Sequence, residues 1–351
     1  MKKKFTLLLS LMLVSIFILS ACGNGDSAVP VSGDSTTANS DEQIKLSFAF
    51  FTTETTFLGQ MVQYWADQIE ERSEGRVDME IYYSGTLLDA NNMYDGVRQK
   101  VADGGLTVLQ YEPGKYPLVE LAELIPYDGA EVASQVAYDL AKEYPIEALS
   151  DLKLLTVFAN DQNYLFTNHP VKSLADLKGK QYRAAGAYMD LIEDFNAAGV
   201  GMSQAEQAEA LQTAIIDGTV TERALTKDAQ LAELVDYLVD KQLYVSTFAG
   251  VMNMDTWNSL PEDIQKVFDE VGAELPAYAG KFLDDRTADN LKWSKDEHGL
   301  QIVALNEADN KKWDGIVNAY QEEKIETLEK QGLPARAYFE RAKELVEQYS
   351  K

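Results

Sequence analysis

One cysteine and two histidines decide most of what chemistry this chain can carry. Cys22 follows Leu19-Ser20-Ala21. Ahead of it stand Lys2, Lys3 and Lys4, then an apolar run from Phe5 to Leu19. A charged start, an apolar stretch and small residues before a cleavage point are the order of a secretory signal. The run is shorter than the roughly 20 apolar residues of a spanning helix. A thiol directly after the cleavage point is where a bacterial lipoprotein takes its diacylglycerol. The pattern therefore predicts a signal peptide over 1–21, lipidation of Cys22 and a domain held at the outer face of the cytoplasmic membrane. Two or three acyl chains suffice for that.

The histidines, His169 and His298, are far apart and sit in polar segments, so both read as surface residues. No H-E-x-x-H, Cys/His cluster or G-x-S-x-G occurs, which removes zinc and serine-elbow hydrolase readings. No G-x-x-x-x-G-K-[ST] or G-x-G-x-x-G offers a phosphate cradle. Acid pairs such as Glu193/Asp194 are expected as solvated faces in a chain with 57 Asp and Glu. No catalytic set, metal or cofactor is implied, and the reading is not an enzyme. What remains is capture of a small solute in a cleft between two lobes.

The formal charge of −26 argues against nucleic acid, whose affinity comes largely from Lys and Arg neutralising phosphates. It also argues against lying on anionic lipid. With one cysteine no internal disulfide is possible, and the core must be large enough to do without. From Gly23 to about Glu42 the chain is Ser, Thr, Gly and Asp with no apolar period. Residues 22–43 thus read as a tether spanning roughly 25 Å.

The elements that must position a site start at Ile44. Ile44–Phe51 alternates as a strand. Phe57–Glu71 has Leu58, Met61, Val62, Trp65 and Ile69 on one helical face, and Val77–Tyr83 alternates again. Strand, helix, strand makes a βαβ unit and a parallel sheet. Further strands are expected at 106–110, 154–158, 164–167, 182–185, 247–252 and 300–305. Helices are expected at 92–102, 132–144, 189–198, 206–215, 262–271, 276–298, 308–330 and 335–349.

In order along the chain, several segments resemble the DctP-type receptors of TRAP transporters, the tripartite ATP-independent periplasmic family. They are Tyr64 to Val77, ending Ser73-Glu74-Gly75-Arg76-Val77; Tyr82-Tyr83-Ser84-Gly85-Thr86-Leu87; Pro113-Gly114-Lys115-Tyr116-Pro117-Leu118; Val171 to Arg183, similar to the family's DLKGKKIR signature; Ala210-Leu211-Gln212 with Ile216-Asp217-Gly218; and Met252-Asn253, Trp257, Ser259-Leu260-Pro261 and Trp313. The resemblance spans nearly all of 44–349.

It implies an α/β fold of the periplasmic-binding-protein type, class II. Two α/β lobes would flank a ligand cleft, joined by hinge segments and long C-terminal helices. Lobe I would take 44–160 and 247–288, and lobe II 161–246 and 289–351. The arginine of the signature, here Arg183, is implied to grip the solute's carboxylate. A planar guanidinium suits that task better than an ammonium. Phe51, Thr53 and Glu54 after the first strand, Tyr111 and Glu112 after a buried strand, Tyr188 after the arginine strand and Asn253 are the other implied wall residues. Thr221 stands where many members place a solute-touching asparagine, and the proline that follows there is absent. The implied function is an extracytoplasmic receptor, a monomer, that delivers a small organic acid to TRAP permease subunits. A sensor of the same fold feeding a signalling partner is the alternative.

Overall fold

A computed structural model describes residues 43–351. The expected signal segment 1–21, Cys22 and the rest of the tether up to residue 42 lie outside the described residues. In chain order the elements are β1 (Ile44–Phe50), α1 (Phe57–Arg72), β2 (Val77–Tyr82), α2 (Met93–Arg98), β3 (Gly104–Val108), α3 (Pro117–Glu123), α4 (Ala130–Glu143), β4 (Leu152–Ala159) and β5 (Asn163–Thr167). There follow β6 (Gln181–Ala184), α5 (Met189–Asp194), β7 (Ala198–Gly201), α6 (Gln207–Gln212), β8 (Gly218–Glu222), α7 (Leu225–Asp228), β9 (Tyr237–Gln242) and β10 (Thr247–Asn253). The chain closes with α8 (Met254–Ser259), α9 (Glu262–His298), β11 (Gln301–Val303), α10 (Glu307–Lys330) and α11 (Ala335–Tyr349). No helix among the described residues is long and apolar enough to cross a membrane.

The opening βαβ unit forms for the reasons its pattern gives. β1 and β2 pair in parallel. The apolar face of α1 closes over them, with Trp65 edge-on to Phe48 at 5.1 Å. Thr56 caps α1 by accepting the Gly59 N–H at 3.1 Å. A Cβ at Gly59 would lie 2.3 Å from the Thr53 carbonyl, so only glycine lets the Phe51–Thr56 loop fold over the first turn.

The first sheet has the order β2-β1-β3-β10-β4, and the second β11-β9-β5-β8-β6-β7. β10 runs antiparallel to β3 and β4, completing the first sheet with a strand from late in the chain. The chain thus crosses between sheets after β4 and returns after β9. The two crossing segments, 160–162 and 243–246, are bound together. Asn160 N–H donates to Ser246 O at 3.0 Å, Asn163 N–H to Tyr244 O at 2.7 Å, and Ser246 N–H to Asn160 Oδ1 at 2.6 Å. Paired short crossings of this kind are hinge material.

The expected helix break near Pro276 is corrected. Instead α9 runs unbroken for 37 residues with Pro276 inside it. Proline removes the N–H that would bond to the Gly272 carbonyl. Thr156 of β4 donates its hydroxyl to that carbonyl at 2.9 Å, and Gly272 has no Cβ to hold the strand away. Within 289–351, α11 packs on α3 and α4, where Leu121, Val136, Leu140, Ala335, Tyr338, Ala342 and Leu345 form a separate apolar cluster. β7, β8 and β9 form where no strand was expected, and α5 stops at Asp194. Asn196, at φ 61°, turns the chain from α5 into β7.

Candidate functional site

Arg183 is the third residue of β6, and only 4% of it is exposed. β6 lies between β7 and β8, and the side chain is tied down by both neighbourhoods. Nε donates to Met202 O at 3.1 Å and Nη1 to Val220 O at 2.9 Å. A guanidinium has five N–H groups, so these two bonds fix its plane and leave donors over. Both acceptors are neutral carbonyls. Among the described residues no carboxylate forms an ion pair with Arg183. Across the ladder, Thr219 stands opposite Arg183 and bonds Gln207 Oε1 at 2.8 Å. Among the described residues the buried Nε2 of Gln207 finds no hydrogen-bond partner.

The charge of Arg183 acts on three groups around it. Burial raises the Tyr111 and Tyr244 phenols, and Arg183 pulls both back down. Burial pushes the Glu222 carboxyl up to about 7, against the opposing pull of Arg183 and of its hydrogen bonds. Tyr111 comes from the first lobe. Its ring meets Phe51 edge to face at 5.7 Å, and its hydroxyl accepts the Gln204 N–H of the second lobe at 2.8 Å. Tyr244, on the return crossing, accepts the Ala185 N–H at 3.2 Å and stacks on Tyr188 at 4.0 Å. Tyr188 in turn reaches into the first lobe, donating to Glu123 Oε2 at 2.6 Å. Glu123 also accepts the Thr247 N–H at 2.9 Å, and burial pushes its carboxyl up to about 7. Groups from both sheets and one crossing thus converge on one buried guanidinium.

Of the residues expected at the site, Phe51, Tyr111, Tyr188 and Thr221 lie buried in this arrangement. Tyr188 sits one ring behind, beneath Tyr244. Thr221 donates to Glu222 Oε2 at 3.2 Å. The others are engaged elsewhere. Thr53 and Glu54 are exposed, and Thr52 is the buried member of that loop. Glu112 is buried but held by Lys115 Nζ at 2.6 Å and the Tyr116 hydroxyl at 2.6 Å. Asn253 caps α8 through the Asp255 and Thr256 N–H groups, at the end of β10 remote from the crossings. Glu222, Gln204, Tyr244 and Asn160 also join this buried cluster and were not anticipated. The hint lay in the run Gly218-Thr219-Val220-Thr221-Glu222, where the resemblance implies an asparagine and a proline that this chain lacks. Among the described residues no group of three or more His, Cys, Asp or Glu is placed to hold a metal ion.

Comparison with known proteins agrees with this geometry. The sequence profile of DctP, the bacterial extracellular solute-binding protein family 7, matches residues 48–327. A solute-binding protein of Albidiferax ferrireducens is 26% identical over 275 residues, covering 75% of this chain and 80% of its own. Among solved structures, a TRAP periplasmic solute binding protein from Desulfovibrio salexigens aligns with a TM-score of 0.77 at 32% identity, over 88% of this chain and 97% of its own. A marine metagenome TRAP solute binding protein, described as specific for aromatic acid ligands and bound to metahydroxyphenylacetate, gives 0.82 at 27% identity, over 88% and 100%. With two α/β lobes, a shared crossing and a family match over most of its length, the chain belongs to the DctP family and is a TRAP solute-binding protein, a receptor and not an enzyme.

Proposed function

We propose that this receptor captures a small organic acid by its carboxylate at Arg183 and presents it to the membrane subunits of an ion-gradient-driven TRAP permease. One observation carries the first half. A guanidinium taken almost wholly out of water, donating to two neutral carbonyls and forming no ion pair among the described residues, calls for an anion. A carboxylate supplies two acceptors in the plane of the remaining N–H donors. The unpartnered Gln207 Nε2 is a further donor on the same side. The relatives fit this chemistry: the metagenome protein is described as specific for aromatic acids, and a Bacillus subtilis relative, 21% identical over 287 residues, is named a C4-dicarboxylate-binding protein.

Binding would draw the lobes together about the crossings at 160–162 and 243–246, shifting the population toward a closed form. Residues 44–160 with 247–288 would move against 161–246 with 289–334. The lipid on Cys22 would keep a monomeric receptor near its permease, with the 22–43 tether setting its reach. Metabolic labelling with a radioactive fatty acid checks the anchor: Cys22→Ser should lose both label and membrane association.

The binding claim is tested by a thermal-shift screen of small organic acids beside their uncharged amides. A ligand of the folded state adds about 2.7 kcal/mol at a hundredfold excess over its Kd. At least one acid should raise the melting midpoint while its amide does not. Amides that stabilise as well as their acids would remove the carboxylate from the account.

A further inference from the structure

Glu222 closes β8 within the same cluster as Arg183, and only 2% of it is exposed. Its oxygens accept three hydrogen bonds, all from neutral groups. Gln204 Nε2 donates to Oε1 at 3.0 Å, and Asn160 Nδ2 and Thr221 Oγ1 donate to Oε2 at 3.1 and 3.2 Å. A carboxylate offers about four acceptor positions, so one remains. No cation among the described residues pairs with it. Gln204 joins the two poles of the cluster, since its main-chain N–H holds Tyr111 and its side chain holds Glu222. Tyr111 feels both charges, lowered by Arg183 and raised by Glu222. Arg183 and Glu222 are near enough to act on one another yet do not form an ion pair.

A buried acid and a buried base held apart within one cluster set two demands on what lies between them. The base asks for an anion. The acid asks for a hydrogen-bond donor and repels a second anion. We infer that Glu222 is the specificity residue of this receptor: it selects carboxylic acids that carry a hydroxyl or ammonium group away from the carboxylate, and it rejects dicarboxylates. This rests on the organic-acid reading above. An unsubstituted acid leaves the buried Glu222 acceptor unmatched, which a binding site punishes far more than a missing apolar contact. Above about pH 7, where Glu222 is ionised, a second carboxylate would set like charges together out of water, so the titrations below are run at pH 8.

Calorimetric titration of the full chain tests this with matched probes: 3-hydroxybenzoate against benzoate, lactate against propionate, and succinate and phthalate as dicarboxylates. In the wild-type protein the hydroxy member of at least one pair should bind tenfold or more tighter than its partner, and neither dicarboxylate should bind as well. Glu222→Gln should shrink that preference below about threefold and admit a dicarboxylate. Should Glu222→Gln fail to fold, the wild-type ratios alone decide. The inference is overturned if a dicarboxylate binds the wild type as tightly as the hydroxy acids. It is equally overturned if Glu222→Gln keeps the full preference while Arg183→Met abolishes binding; in that case the organic-acid reading survives. If none of the six acids binds, the organic-acid reading fails and takes this inference with it.

Discussion

Two arginines beside the same strand have been treated in opposite ways. Arg223, directly after β8, is neutralised from within: it bonds Asp161 at 2.8 Å, with the Asp161 side chain only 2% exposed, and lies over the Tyr164 ring at 4.8 Å. Arg183, on the neighbouring strand, is buried with no such carboxylate partner among the described residues and donates to two main-chain carbonyls. Burying an arginine is therefore not what marks a binding residue here. The distinction is whether the fold supplies the counter-charge. Arg223 and Asp161 fasten one crossing to the second lobe, whereas the proposal assigns the charge of Arg183 to a solute from outside.

The contrast can be broken at either arginine. The largest effect on folding should follow Asp161→Asn, which strands a mostly buried guanidinium. Breaking one partner of a buried pair costs about 3–5 kcal/mol, to be read from the urea midpoint at constant slope. Arg183→Met should not lower the stability of the unliganded protein, since it removes a buried charge that has no partner. If Asp161→Asn is silent and Arg183→Met unfolds the protein, the roles are reversed.

Next in size is a pH effect that sets the buried acids apart from the arginines. Glu123 and Glu222 are both pushed up to about 7 by burial, from the ordinary glutamate value of 4.5. An acid raised in the folded state stabilises that state while it is protonated. The contribution is complete below the unfolded value and is lost as pH rises through about 7, with each group contributing on the order of 3 kcal/mol at most. Around Glu123 the Tyr188 hydroxyl and the Thr247 N–H oppose the shift, and Glu120 reinforces it. Stability of the unliganded protein should therefore fall between pH 5 and 8, and Glu123→Gln should flatten that slope. A rise in stability over this interval would contradict the burial argument.

The smallest effect concerns the helix that joins the lobes. Thr156→Val should cost about 1–2 kcal/mol by leaving the Gly272 carbonyl unpaired above Pro276. Adding Pro276→Ala to the Thr156→Val variant should recover much of it, because the returned N–H satisfies the same carbonyl. No recovery would mean that Thr156 acts through packing.

The same physics explains how much was legible in the sequence. α1 and α11 were readable because one face of each is apolar and the other is wet. Arg183 was singled out only through the segment from Val171 onward, since nothing in periodicity distinguishes one arginine from another; the structure shows it buried without an ion pair among the described residues. β8 was missed because all five of its residues are buried, so polar threonines alternate with nothing exposed. Glu222 was lost with it. Pro276 misled because its missing bond is compensated by Thr156, far earlier in the chain, which no local rule sees. In the β1–α1 loop the alternation does not show which residue turns inward: Thr52 meets Thr56 at 2.9 Å, while Thr53 and Glu54 face solvent.

The claim on which the rest depends is that Arg183 waits for a carboxylate from outside the chain. Titrating the first organic acid found to bind into wild-type and Arg183→Met protein, with the unfolding midpoint of each measured unliganded, tests it directly. The account predicts at least a hundredfold loss of affinity with no drop in the midpoint. Undiminished affinity in the variant would contradict it.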